Sequence, residues 1–191
     1  MPNATSPLTG AELVPLVQSG VNVKSTIANF GQYARGAYFN HGAFQDTTTQ
    51  TGSITVGTPF TFNTTDVSDG VTLVAGSRLT VPVTGIYNIQ WSGQFQNPEN
   101  VIETVHVWLR VNGADVVGST GDISLAARKN PATPYRTIVG WNYFLSLTAG
   151  QYVELVWIPT IATITVPAFP ASVTPAYPST ASVIVTVNQV G

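Results

Sequence analysis

A chain of 191 residues suits one domain with a short appendage, and its net charge of −2 favours neither nucleic acid nor an anionic membrane as partner. Charged residues make up 8% of it and hydrophobic residues 43%, a balance suited to subunits whose interface cores exclude charge. Cysteine is absent, which removes disulfides, thiolate zinc sites and cysteine nucleophiles.

The opening residues, MPNATSPLTGAELVPLV, have no basic run followed by a continuous apolar one, so no secretory signal is expected. No apolar run approaches the roughly 18 residues of a transmembrane helix. Asn3-Ala-Thr5 and Asn63-Thr-Thr65 match the glycosylation sequon by chance in a Thr-rich chain. Residues 1–36 read as an attachment arm. Glu12–Gln18 and Val21–Thr26 alternate on either side of Ser19-Gly20, which predicts a hairpin. Ser25 or Thr26 then caps a short helix, Ile27–Ala34, that stops at Gly36. So small an element needs a partner to hold it, and Leu13, Val14, Leu16 and Val17 are the candidate attachment side chains.

From residue 37 to 191 the chain reads as strand after strand. The expected strands are Ala37–Phe44, Gly52–Ile54, Thr58–Phe62, Arg78–Pro82, Gly85–Phe95, Thr104–Val111, Ala114–Ser119, Arg136–Leu147, Tyr152–Pro159 and Ala181–Val190. Ser68-Asp-Gly70, Asn112-Gly113 and Ala149-Gly150 supply turns, Asn112-Gly113 the clearest. Loops are expected over 120–135 and 160–180; five prolines between Pro159 and Pro178 argue for an extended crossing in the second. Many short strands and almost no helical periodicity predict an all-β jelly-roll sandwich of about ten antiparallel strands. In VTGIYNIQWSGQFQN (83–97), Tyr87, Ile89, Trp91 and Phe95 share one parity and suit a core. Asn88, Gln90, Ser92, Gln94 and Gln96 share the other, which is polar without a single charge.

Little in the chain suggests catalysis. The two histidines, His41 and His106, are 65 residues apart and give no zinc-like spacing. Trp91-Ser92-Gly93 lacks the leading glycine of a nucleophile elbow, and Glu99, Glu103, Asp122 and Glu154 have no spacing that marks a carboxylate pair. No catalytic residue, metal site or cofactor is therefore assigned. Asp66 and Asp69 could offer oxygens to calcium, although a turn in which Asp caps its own backbone accounts for them more simply.

Three segments together resemble the trimeric jelly-roll family of the complement globular head and tumour necrosis factor. They are Gly85-Ile86-Tyr87, Leu109-Arg-Val-Asn112-Gly113 and Leu147-Thr-Ala-Gly150-Gln151-Tyr-Val153-Glu-Leu155. The resemblance covers roughly residues 55–190 and implies two sheets, a homotrimer, and a binding or structural role instead of an enzymatic one. Gln151 stands where an acidic residue is usual, and there is no collagen stalk, so no ligand site carries over. At the other end, Leu8-Thr-Gly10, Glu12-Leu-Val-Pro15 and Gln18-Ser-Gly20 resemble the short amino-terminal segment of tailed-bacteriophage structural proteins.

Together the resemblances imply a bacteriophage virion structural protein on the particle surface, made in the host cytoplasm. It would decorate or cement the capsid, or form a head fibre, with itself and the major capsid protein or other virion proteins as partners. The alternative is a receptor-binding module of a tail fibre or baseplate that takes a host-surface glycan. In a trimer, Trp108, Tyr152 and Val156 are the candidate interface residues: they share the parity opposite the core-filling Val105, Val107, Leu109, Val153 and Leu155. Tyr135, Phe169 and Tyr177 are candidate ligand contacts in the loops, and Arg128, Lys129 and Arg136 concentrate basic charge there.

Overall fold

The computed structural model describes Ala11, residues 13–26 and residues 40–191. The chain divides into two compact units, Met1–Phe39 and Asn40–Gly191.

In the first unit, β1 (Leu13–Gln18) and β2 (Val21–Thr26) pair antiparallel, with Leu13 opposite Thr26 and Gln18 opposite Val21. Ser19 and Gly20 both take positive φ, 52° and 78°, the two-residue turn whose twist suits a hairpin. Strand alternation puts Leu13 and Val17 on the opposite face from Val14, while Leu16 pairs with Val23. Leu13, Val17 and Val21 are exposed, Val17 by 71%. The helix expected over Ile27–Ala34 lies outside the described residues, and Ser25 and Thr26, expected as its cap, close β2.

The second unit contains β3 (His41–Asp46), β4 (Gln50–Thr51), β5 (Thr58–Pro59), β6 (Thr64–Asp69), β7 (Thr72–Val74), β8 (Arg78–Thr80), β9 (Gly85–Asn97), β10 (Glu103–Val111), β11 (Ala114–Asp115), β12 (Gly121–Leu125), β13 (Tyr135–Leu147), β14 (Tyr152–Pro159), β15 (Thr165–Val166), β16 (Ser172–Val173), β17 (Ala176–Tyr177) and β18 (Val183–Gln189). It is an antiparallel jelly-roll sandwich of two seven-stranded sheets. One runs β4-β15-β9-β18-β3-β6, with β13 on the free side of β9; the other runs β11-β10-β14-β8-β7, with β12 beside β10 and β5 beside β14. β16 and β17 form a small hairpin of their own.

The alternation of β9 sets the inner wall of the first sheet: Tyr87, Ile89, Trp91 and Phe95 are all buried. Val183, Val185 and Val187 of β18 extend that wall, and Val105, Val107, Leu109, Val153, Leu155 and Trp157 face it from the second sheet. Phe60 stacks on Trp157 at 5.5 Å and approaches Trp91 at 6.0 Å and Phe95 at 6.4 Å, so one ring touches aromatics of both sheets. Tyr87 is buried with its hydroxyl donating to the Val83 carbonyl at 2.8 Å. That burial pushes its phenol above the usual tyrosine range, against the lowering effect of the same hydrogen bond.

Several elements depart from expectation for local reasons. Pairing occurs at Gln50–Thr51 and not over Gly52–Ile54; a side chain at Gly52 would meet Trp157 and Pro159 at about 3 Å, so the backbone is pressed against the core. The strand begun at Ala114 ends at Asp115. β6 and β7 fall around the expected Ser68-Asp-Gly70 turn, where only Gly70 takes positive φ (82°); their Thr- and Asp-rich sequences carry little apolar signal. β12 lies inside the expected 120–135 loop and pairs with the outer side of β10. β15, β16 and β17 interrupt the expected 160–180 crossing, each only two residues long between prolines. The Asn112-Gly113 hairpin forms as expected, with φ of 49° and 84°.

Asp46, buried at the end of β3, accepts from the Thr48 amide (2.7 Å), the Thr61 hydroxyl (2.9 Å) and the Asn63 amide (3.2 Å), while its backbone carbonyl accepts from Ser182 (2.8 Å). One carboxylate thus ties the 47–63 segment to the β3–β18 ladder. Asp46→Ala should lower unfolding stability by about 2–4 kcal/mol, because several donors lose a charged acceptor at once; urea unfolding measures the loss.

Candidate functional site

Three cross-strand rows cover the outer face of the β13-β9-β18-β3 layer. The registers align Gly140, Ser92, Ile184 and Gln45 in one row; Asn142, Gln90, Thr186 and Ala43 in the next; and Phe144, Asn88, Asn188 and His41 in the third. None of these is Asp, Glu, Lys or Arg. Ile138, paired with Gln94, is 69% exposed and Phe144 60%; Ile86 and Ile184 are also exposed. Charge enters only at the margins. Arg136 donates to Gln96 at 2.8 Å at one end, and Asp66 accepts from Gln45 at 2.6 Å along the β6 edge.

Shallow depressions mark this face. One of about 260 Å³ is lined by Gln90, Ser92, Ile184 and Thr186; another of about 270 Å³ adjoins it, with Gln45, Gln94 and Ile138 among its walls. Gly140 leaves the surface open beside Ser92, and a side chain there would fall 2.2 Å from the Trp91 carbonyl. Amides and hydroxyls supply donors and acceptors without a charge to desolvate. This chemistry suits contact with another protein surface.

The outer face of the β10-β14 sheet is different. Both Arg–carboxylate ion pairs found among the described residues lie on it, Arg78–Glu154 at 3.6 Å and Arg110–Asp115 at 2.9 Å, and His106 stands 3.9 Å from Asp122. Trp108 points outward here, as its parity predicts, and stands opposite Val156 in the ladder. Val156, expected at an interface, is 0% exposed within a single chain. β5 pairs alongside it, and a side chain at Gly57 would meet Val156 at 2.7 Å and the Trp108 ring at 2.5 Å. The 57–59 segment therefore covers Val156 and takes it out of any surface contact. Tyr152 is half-buried, with the Arg78 guanidinium 4.7 Å above its ring, four residues along the strand from Val156 and not clustered with Trp108.

The Trp108 indole N–H donates to Asp115 Oδ1 at 2.7 Å, and Arg110 Nε donates to the same oxygen at 2.9 Å. These two hydrogen bonds, the indole's first, hold the Asp115 carboxyl below the usual aspartate range. Trp108, Asp115 and His106 line an open cleft of about 300 Å³ whose far wall is the loop from Val116 to Thr120. Sequence reading missed this loop because Val116-Val117 continues an apolar run and passes for strand.

The loop aromatics do not form one cluster. Tyr135 begins β13 and packs against the core, Phe169 lies under the Arg136 guanidinium at 4.4 Å, and Tyr177 is exposed in the separate β16–β17 hairpin. The acids are also dispersed. Glu99 accepts from Thr163, Glu103 from Thr160 and Glu154 from Ser77, while Asp122 stands near His106. Asp66 and Asp69 both belong to β6, and among the described residues no three His, Asp or Glu side chains converge as metal ligands would.

No protein-family model matches the chain, and no curated protein matches its sequence. Solved structures do match. The globular domain of zebrafish complement 1qA protein is 12% identical with a TM-score of 0.45, the alignment covering 80% of this chain and 98% of that domain. Eiger TNF from S. frugiperda is 13% identical with a TM-score of 0.51, covering 81% of this chain and 94% of the other. The likeness to Eiger TNF is one of fold.

The Asp115 contact sets a pH dependence. Its folded-state pKa is depressed, so its contribution is complete above the unfolded aspartate value of about 3.9 and is lost as pH falls through the lower folded value. The Trp108 indole proton resonance should therefore titrate in NMR with a midpoint below about 3.9, and the transition should vanish in Asp115→Asn.

Proposed function

We propose that this chain is a non-enzymatic structural protein of a bacteriophage particle that self-associates as a homotrimer through the outer face of the β13-β9-β18-β3 layer. The observation that carries the reading is the absence of charge across three rows and four strands of an exposed sheet, set with Ile138, Phe144 and Ile184. A solvent-facing sheet ordinarily carries charge on its outer parity, as the β10-β14 sheet does with its Arg78–Glu154 and Arg110–Asp115 ion pairs. An uncharged face with exposed apolar side chains is suited to burial. Self-association accounts for the composition without requiring a second protein.

The assignment to a phage particle rests on the resemblance of Leu8–Gly20 to the amino-terminal segment of tailed-phage structural proteins. In this reading the arm, residues 1–36, ties the trimer to the virion surface, where it decorates or cements the capsid or stands as a head fibre on the major capsid protein. The exposed Leu13, Val17 and Val21 of the hairpin would lie in that contact. Three arms on one trimer bind with avidity that a single hairpin lacks, and a trimer bridging adjacent capsid subunits stabilises only the state in which they adjoin. A receptor-binding role at a tail fibre or baseplate is the second reading, favoured by the partly open Trp108 at the ion-paired sheet.

Two measurements test the proposal. Ile184→Asp places a carboxylate in each copy of the face. It should shift the trimer–monomer midpoint in sedimentation equilibrium at least about 100-fold, equivalent to roughly 3 kcal/mol, with little change in thermal stability; an undisturbed trimer, or a wild-type monomer, overturns the assembly face. Deleting residues 1–36 should leave a folded trimer that no longer binds particles lacking the protein, and undiminished attachment overturns the arm.

A further inference from the structure

We propose that the cleft beside Trp108 binds a pyranose residue of a glycan. This deepens the second reading, saccharide recognition, and assigns it to residues away from the aromatic loops.

The aromatic floor is held by two contacts. The indole N–H is tied to Asp115, and the Cζ2–Cη2 edge of the ring abuts Gly57, where even a methyl group would collide. The facing wall is held as well. Ser119 is buried; its hydroxyl donates to the Val116 carbonyl at 2.7 Å and accepts from the Leu109 amide at 3.0 Å, while the Tyr143 hydroxyl donates to the Ser119 carbonyl at 2.7 Å. On this clamped loop Val117 is 99% exposed, an apolar side chain kept in water next to a partly open indole. A site organised before binding loses little entropy when its ligand arrives.

The chemistry of the lining selects the ligand class. A pyranose has an apolar C–H face that packs on an aromatic ring, and hydroxyls around its rim that donate to carboxylates. Asp115 Oδ1 is occupied by Trp108 and Arg110, whereas no described residue donates to Oδ2. His106 and Thr120 supply further polar groups at the rim. Arg110 already offsets the Asp115 charge, so the cleft does not call for a cationic ligand. At about 300 Å³ it lies at the small end of ligand sites, sized for one sugar ring. It sits on the sheet opposite the proposed assembly face, so occupancy does not depend on oligomeric state.

The test is a titration of the full-length ¹⁵N-labelled protein with the methyl glycosides of glucose, galactose, mannose and N-acetylglucosamine. At least one should give saturable shifts of the Trp108 indole and Val117 amide resonances, with a dissociation constant of about a millimolar order. Val117→Asp, at a site too exposed to affect folding, and Asp115→Ala should each weaken binding about 10-fold or more. The Ile184→Asp variant should bind like the parent, which separates failure of this site from failure of the assembly face. No saturable shift from any of the four sugars, shifts undiminished in both cleft variants, or shifts confined to Tyr135, Phe169 and Tyr177 would each overturn the proposal.

Discussion

The sandwich depends on one aromatic contact across its two layers. Phe60 stacks on Trp157 of one sheet and reaches Trp91 and Phe95 of the other, and Phe95 also meets Trp157 edge-on at 6.1 Å. Each ring buries on the order of 200 Å², worth about 5 kcal/mol at ~25 cal/mol per Å², and none can leave without opening a cavity shared by both sheets. Phe60 reaches the stack from a short segment whose amide donates to Leu155 at 2.8 Å. Its position therefore also fixes the segment just before it: β5 lies along β14, and Gly57 comes to rest over Val156 and against Trp108. The inner core and the shape of one outer surface share a cause.

The two outer faces divide the work of the surface. The β10-β14 face carries ion pairs, a clamped loop and a cleft; the β13-β9-β18-β3 face carries amides, hydroxyls and scattered aliphatic side chains. Charges are costly to bury and amides much less so once they find partners. This partition suits one face to meet another copy and the other to stay in solvent, available to a ligand. With only 8% of residues charged, such a separation leaves the ion pairs concentrated where water remains.

Much of this was legible from residue order alone. The period-two alternation of β9, β10 and β14 assigned Tyr87, Ile89, Trp91, Phe95, Val105, Val107, Leu109, Val153 and Leu155 to the core, where burial places them. Asn112-Gly113 and Ser19-Gly20 announced hairpins because their positive φ angles suit few other pairs. The uncharged parity of β9 was visible as well. Alternation is a local property of strands, so it survives reading without a structure.

What escaped was whatever depends on which strands meet. Val156 has the parity of a surface residue, and only the pairing of β5 beside β14 buries it. β12 and β15 are too short and too polar or proline-flanked to signal themselves, and exist because longer neighbours offer free edges. The Ser119 clamp joins β10, the 116–120 loop and Tyr143 of β13 across 24 residues or fewer, yet nothing in the spacing marks it. Strand periods, turns, the apolar inner wall and the scarcity of charge follow from residue order, because each is set by neighbours along the chain. The alignment of three uncharged rows across four strands and the seating of Trp108 between Asp115 and Gly57 come from the fold, because register and sheet order arise from contacts distant in sequence.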